Sequence, residues 1–139
     1  ACRYPHMPEV QELILNEPSP MTAKMISKKY YHHTRPDWDK IRFKVMYWCL
    51  KVKLSQNWER FYKELQSTGS KEIVEYSAND KVWAACLIND TQLQGTNALG
   101  RLLMQLREDY VFNDNFLGCV EPPEVDNFLL FNYEYYRSY

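Results

Sequence analysis

The chain lacks most of the features that announce a function. No apolar run approaches the roughly 20 residues a membrane-spanning helix needs. Charge of neither sign dominates: the formal net charge is -1, so any nucleic-acid contact must come from a local patch. Cys2, Cys49, Cys86 and Cys119 stand too far apart in sequence for a metal knuckle or a redox pair. A chain of 139 residues does not need disulfides to hold a core, so reduced thiols and a cytoplasmic location are expected. His32 and His33 are adjacent and His6 is distant, and no His-x-x-x-His or Cys-x-x-Cys spacing occurs, so no metal site is expected. Gly-x-Ser-x-Gly, a Walker loop and a dinucleotide fingerprint are all missing. There is no internal repeat and no low-complexity segment.

What is present is an ordinary globular composition, 45% apolar, in a chain of one-domain size, with aromatics raised to 15%. The chain starts at Ala1 rather than Met, and Ala1-Cys2-Arg3-Tyr4 reads as the interior of something longer. Residues before it are expected to be missing, cleaved or carried by another chain. Pro8 suits a first helical turn, and Val10, Leu13 and Ile14 form a helical stripe that Asn16-Glu17-Pro18 ends. Ser19 as N-cap and Pro20 at the first helical position start a second helix ending near Lys28-Lys29. Tyr31 to Pro36 reads as a loop. Asp37 caps a third helix, Trp38 to about Leu54, whose broad apolar face (Ile41, Val45, Trp48, Val52, with Met46 and Leu50) predicts a central, well-buried element. Lys40, Lys44 and Lys51 read as a solvated face. A fourth helix starts at Asn57 and stops at Gly69. Ile73-Val74-Glu75-Tyr76 predicts a strand from its β-branched and aromatic content. Leu87 to Gln94 reads as an irregular polar loop. Leu99, Leu102, Leu103, Leu106 and Tyr110 then form one apolar stripe, with Arg101, Gln105 and Glu108 opposite. The end of the chain, Phe128 to Tyr136, is dense in aromatics and reads as a strand or short helix packed on the core, with a docking surface as the alternative.

The chemistry-bearing residues concentrate between Asp80 and Asp109. A helix start offers unpaired N–H groups and a positive dipole end, which suits anions. Around it, Trp83 can stack on a base or cover a sugar, and Asp80 can accept from hydroxyls or stabilise positive charge developing at a sugar carbon. Asn97 can donate and accept, Arg101 can reach phosphate as a fork, and Trp38 offers a second aromatic wall. These residues suit a nucleotide-like, sugar-phosphate ligand. The purely structural alternative has Asp80 capping a turn, Trp83 in the core, Asn97 as an N-cap and Gly100 permitting close packing. Cys86, among apolar neighbours, reads as packed rather than reactive.

At these positions the sequence resembles the NADAR (YbiA-like) family. Ser19-Pro20-Met21-Thr22-Ala23, followed by Lys28, resembles its Ser-Pro-x-x-Ala segment ahead of a basic residue. Arg35-Pro36-Asp37-Trp38 with Val45-Met46 resembles its Arg-x-Asp-Trp…Val-Met helix. Lys53-Leu54-Ser55-Gln56-Asn57 and Leu65-Gln66-Ser67-Thr68-Gly69 with Ile73-Val74-Glu75 resemble two further landmarks. Asn79-Asp80-x-x-Trp83 and Asn97-x-Leu99-Gly100-Arg101-Leu102-Leu103-Met104 resemble the two signature stretches. Together these landmarks run over about residues 19–110.

The resemblance implies an α+β, predominantly α-helical, YbiA-like domain with a small sheet. Residues 1–110 would form the domain, incomplete at its amino end, and 111–139 an aromatic-rich extension packed on it. It implies an N-glycosidase without cofactor or metal, acting on a phosphoribosyl riboflavin-pathway intermediate or an ADP-ribosyl substrate such as ADP-ribosylated guanine in DNA. Asp80 and Trp83 would be catalytic, and Trp38, Lys28, Asn97, Gly100 and Arg101 would bind substrate. The partner is then a nucleotide sugar or an ADP-ribosylated nucleic acid, with no membrane. The family's Ser-x-Glu-His motif, whose Glu is its candidate catalytic carboxylate, would lie just before Ala1, in a missing segment or a second chain. Two landmarks depart: Trp83-Ala84-Ala85-Cys86 stands where the family has Trp-Gly, a polar residue and Gly, and Ser27 where it has Gly. A domain that binds ADP-ribose without cleaving it, or an interaction module docking through Phe128 to Tyr139, are the competing expectations.

Overall fold

The structure, a computed structural model, describes residues 1–131 and the backbone of residues 133 and 134. Helices dominate and the strands are short, so the fold is α+β as expected. The chain divides into two compact units, Ala1–Met46 with Glu121–Tyr139, and Tyr47–Val120.

The first unit opens with helix α1 (Pro8–Leu15) and helix α2 (Pro20–Lys29). Ser19 caps α2 as its sequence dictates: its hydroxyl accepts from the Thr22 N–H, and Pro20 takes the first helical position, where no N–H is missed. Tyr31–His33 is a short 3-10 turn inside what reads as a loop. Helix α3 (Trp38–Gln56) follows, its first turn closed by Lys40 and Ile41 N–H groups donating to the Asp37 carbonyl. Val45, Leu50 and Leu54 of α3 are buried, while Ile41, Met46, Trp48 and Val52 are half-buried, a narrower burial than the stripe predicts.

Polar side chains organise this unit. Tyr4 is fully buried and donates to the Ser27 carbonyl at 2.6 Å. Gln11, also fully buried, stands in for a neighbouring strand: Nε2 donates to the Leu129 carbonyl at 2.9 Å and Oε1 accepts from the Phe131 N–H at 2.7 Å. It thereby holds strand β3 (Leu129–Leu130), which pairs antiparallel with strand β4 (Tyr133–Glu134). Phe128 is buried and Phe131 41% exposed; Asn132 and residues 135–139 of the aromatic end lie outside the described residues. The buried Arg35 forks onto both Asp37 oxygens, at 2.6 and 3.0 Å, and donates to the Asp126 and Asn127 carbonyls.

In the second unit α3 continues, and helix α4 (Trp58–Ser67) stops at Gly69, whose φ of +52° suits glycine. Helix α5 (Ala98–Arg107) runs into a π turn, Glu108–Phe112. The core is Leu50, Leu54, Leu65, Leu106, Val111 and Leu117, flanked by Leu99, Leu102, Leu103 and Tyr110, so the α5 stripe points inward as its spacing predicts. Arg101, Gln105 and Glu108 are exposed. Arg107 is buried and ties the end of α5 to the chain after α4, donating to Thr68 Oγ1 at 2.7 Å and the Lys71 carbonyl at 2.9 Å.

Two expectations are corrected here. Ile73 to Tyr76 is not a strand; its one ladder contact is a parallel bridge between Tyr76 and Ala85. The expected loop from Leu87 to Gln94 is instead a hairpin, strand β1 (Cys86–Asn89) antiparallel to strand β2 (Gln92–Gln94). Its turn is closed by the Asn89 side chain, which accepts from the Thr91 N–H and donates to Gln92 Oε1. Leu87, Ile88 and Leu93 are exposed on it, which is why no alternating pattern marks it in sequence.

The Arg35 guanidinium holds the Asp37 carboxyl below the usual carboxylate range, through its hydrogen bonds first and its charge second. The stabilisation is present above the unfolded value of about 3.9 and is lost as pH falls through the depressed folded value. Asp37→Asn is therefore expected to cost about 1–2 kcal/mol at pH 7, since the carboxylate is partly exposed and screened. The gap to wild type should close in urea unfolding at pH values well below 4.

Candidate functional site

The candidate site of the second unit is built from three segments meeting at the start of α5. The loop ahead of Trp83 is two successive capped turns. Ser77 Oγ accepts from the Asn79 and Asp80 N–H groups, and Asp80 Oδ1 then accepts from Val82 at 2.9 Å and Trp83 at 2.8 Å. Asp80 thus caps a turn with one oxygen. Its other oxygen, Oδ2, has no hydrogen bond among the described residues. Asp80 and Trp83 are both half-buried.

The backbone beyond this turn lies against the start of α5. Carbonyls of Lys81, Val82, Trp83 and Ala84 accept from the N–H groups of Thr96, Ala98, Leu99 and Asn97, at 2.7 to 3.2 Å. This helix start therefore has fewer open donors for an anion than a bare helix terminus: the Ala98 and Leu99 N–H groups are taken by the loop. Donors covered by a neighbouring loop must be paired, and here the loop supplies the acceptors. Two exposed cations lie on this stretch, Lys81 in the turn and Arg101 one turn into the helix, neither with an ion pair among the described residues.

Asn97 holds the third segment. It sits in the left-handed region, φ 50° and ψ 44°, at the N-cap position, but its side chain does not cap the helix. Instead Nδ2 donates to the Ile73 carbonyl at 2.9 Å and Oδ1 accepts from the Glu75 N–H at 3.0 Å. One side-chain amide replaces the strand that Ile73 to Tyr76 would need beside it. Gly100 completes the approach: a Cβ there would lie 2.1 Å from the Ile73 carbonyl oxygen, so only glycine fits. Both polar ends of Asn97 and the open face of Gly100 thus meet protein. Ala84, Ala85 and Cys86 are buried behind them, with the Ala85 N–H on the Glu75 carbonyl and the Ser77 N–H on the Ala85 carbonyl.

Lys28 and Trp38 belong to the first unit. Lys28 is exposed on the last turn of α2. Trp38 opens α3 half-buried, and the Arg3 guanidinium lies over its ring at 4.9 Å. The same unit carries a cavity of about 600 Å³ lined by Tyr4, His6, His33, Arg35, Asp37 and Asp126 among others. Among the described residues no group of three or more His, Cys, Asp or Glu side chains could hold a metal, and no helix is long and apolar enough to cross a membrane.

Sequence reasoning missed a polar pair in the second unit. The Tyr47 hydroxyl donates to the Asp109 carboxylate, and burial together with that carboxylate pushes the phenol far above its ordinary value. The pair clamps α3 to the π turn, and no local pattern announces a contact between residues so far apart.

The Asn97 geometry separates two substitutions. Asn97→Gly loses two hydrogen bonds, about 2 kcal/mol net, but tolerates the positive φ. Asn97→Ala loses the same bonds and adds about 1–2 kcal/mol of left-handed strain. Urea unfolding should rank wild type above Asn97→Gly and Asn97→Ala last; equal stability of the two variants would remove the strain argument.

A NADAR domain family model matches residues 2–110. The chain is 33% identical over 100 residues to a riboflavin biosynthesis protein of Vibrio vulnificus, covering 72% of this chain and 26% of that protein. It is 33% identical over 93 residues to an N-glycosidase of Acanthamoeba polyphaga mimivirus, 62% of this chain and 54% of the relative. It is 32% identical over 98 residues to the N-glycosidase YbiA of Escherichia coli, covering 70% and 58%. The chain thus spans at most little more than half the length of these relatives. No solved structure matches it. The match runs from the start of the first unit through α5 and takes in both signature stretches, and on that extent the chain belongs to the NADAR domain family.

Proposed function

We propose that the protein is an N-glycosidase that hydrolyses the C–N glycosidic bond of a phosphoribosyl or ADP-ribosyl substrate. The reading is supported by family membership, by relatives named N-glycosidase, and by one geometric observation. The Asp80 carboxylate is fixed by Oδ1 on two backbone N–H groups while Oδ2 is left unbonded, next to Trp83 in the turn. A carboxylate pinned by one oxygen is a preorganised negative charge, which is what an oxocarbenium-like sugar needs as its C–N bond lengthens. Water then forms the new C–O bond at the anomeric carbon, its proton ends on the departing nitrogen, and the bonding pair leaves with that nitrogen.

In this proposal Asp80 stabilises the sugar cation and Trp83 walls the sugar or base. Arg101 faces phosphate. Asn97 and Gly100 serve the substrate by holding the start of α5, and Lys28 and Trp38 are the substrate contacts of the first unit. The reaction is proposed to take place where nucleotide sugars are made and used, in the cytoplasm, with no cofactor. A second reading is favoured by one observation: Ala84, Ala85 and Cys86 are buried where the family has glycines and a polar residue. A domain altered there would bind ADP-ribose without cleaving it.

Asp80→Asn keeps a carbonyl oxygen for the turn and removes the charge. It is expected to lower kcat for release of ribose 5-phosphate or ADP-ribose by about 100-fold or more while leaving the melting temperature within a few degrees. Wild-type protein that binds ADP-ribose yet hydrolyses neither substrate class would sink the enzyme and leave the binding module. In that case ADP-ribose should raise the melting temperature, and Trp83→Ala should abolish the shift.

A further inference from the structure

Several arginines of this chain have their work assigned by protein partners. Arg35 is forked onto Asp37 and two carbonyls, Arg107 is bonded to Thr68 and Lys71, and Arg42 pairs with Asp39. Arg3 is different. Its guanidinium carbon lies 4.3 Å from the Tyr31 ring centroid and 4.9 Å from that of Trp38, and it forms no hydrogen bond or ion pair with any described residue. The ring faces attract the cation but give its N–H groups no in-plane acceptor. The nearest acidic side chain along the Arg35–Trp38 segment, Asp37, already has both oxygens on Arg35.

The backbone beneath Arg3 is held on both sides. Its carbonyl accepts from the Arg35 N–H at 3.1 Å, and the next residue, Tyr4, is fully buried with its hydroxyl on Ser27. A half-buried guanidinium stacked on aromatic faces and carried on fixed backbone, with no acceptor for its N–H groups among the described residues, matches the paired oxygens of a phosphate. Lys28, exposed and next in sequence to the Ser27 that anchors Tyr4, adds positive charge to the same segment. A dianionic phosphate gains more from this than a carboxylate does.

We propose that Arg3, stacked on Tyr31 and Trp38, is a preformed fork for a phosphate group on the first unit, with a ribose phosphate as the ligand class. The assignment rests on the phosphoribosyl reading above for its ligand class. Arg3 binds the phosphate and does not touch the reacting carbon.

The test is an NMR titration of the full chain with inorganic phosphate, ribose 5-phosphate, ribose and acetate, read at the Trp38 indole N–H. Ribose 5-phosphate is expected to give a saturable shift, inorganic phosphate a weaker one, and ribose and acetate none. Arg3→Gln should weaken ribose 5-phosphate binding by about 10- to 100-fold, the factor for charge-assisted hydrogen bonds. Arg3→Lys, which keeps the charge and loses the fork, should fall between, and it serves where Arg3→Gln fails to fold. Unchanged affinity in both variants would overturn the assignment and leave the phosphoribosyl reading standing. Acetate matching ribose 5-phosphate would replace phosphate by any carboxylate and overturn it too. No wild-type response to either phosphate would overturn both. Arg3-dependent binding without hydrolysis of any phosphoribosyl substrate would keep the fork and remove the N-glycosidase.

Discussion

The second unit depends on one side-chain amide. Asn97 uses both ends of its amide on the backbone of residues 73 to 75, and does so from a left-handed conformation that asparagine tolerates better than most residues. That pair of bonds seats the start of α5 against a segment that has no strand beside it. Gly100, one turn on, lets the two backbones approach to a distance at which no side chain fits. The turn carrying Asp80 and Trp83 then packs its carbonyls onto the remaining helix donors. Position of the carboxylate, position of the indole and pairing of the helix start are consequences of one geometry.

This changes the electrostatics of the site. A helix start with open N–H groups attracts anions through its dipole. Here the Ala98 and Leu99 donors, with those of Thr96 and Asn97 just ahead of the helix, end on the carbonyls of Lys81 to Ala84, so neutral protein takes up much of the dipole end. What the stretch offers is an anion of its own, Asp80 Oδ2, with the cation of Arg101 one turn into the helix. That polarity is what the proposed reaction asks for, a ligand that develops positive charge at its sugar and carries negative charge elsewhere.

The first unit solves a different problem with the same device. Buried polar groups must be bonded, and Gln11 and Arg35 meet that demand by binding the chain from Asp126 to Phe131, more than ninety residues away. Arg35 and Asp37 neutralise each other in doing so. Arg3 shows the opposite case, a cation that among the described residues is held by ring faces and keeps its donors.

Local signals were legible without the structure. Ser19-Pro20 starts α2, Gly69 follows the end of α4, and the leucine stripe from Leu99 to Leu106 faces the core, because caps, positive φ and helical periodicity are properties of a few neighbouring residues. So was the order of landmarks that marks the NADAR family. The strand at Ile73 to Tyr76 failed because β-branched content declares a preference for pairing and cannot supply the partner, which is the Asn97 side chain at one end and a single backbone bridge to Ala85 at the other. The hairpin from Cys86 to Gln94 stayed hidden because its apolar residues face solvent. By itself, then, the sequence determined the helices, the Ser19 cap of α2 and the family. Only the tertiary structure decided which of Asp80, Asn97, Gly100 and the α5 donors are spent on protein and which keep an atom unbonded among the described residues, since that depends on contacts between segments with no local signature.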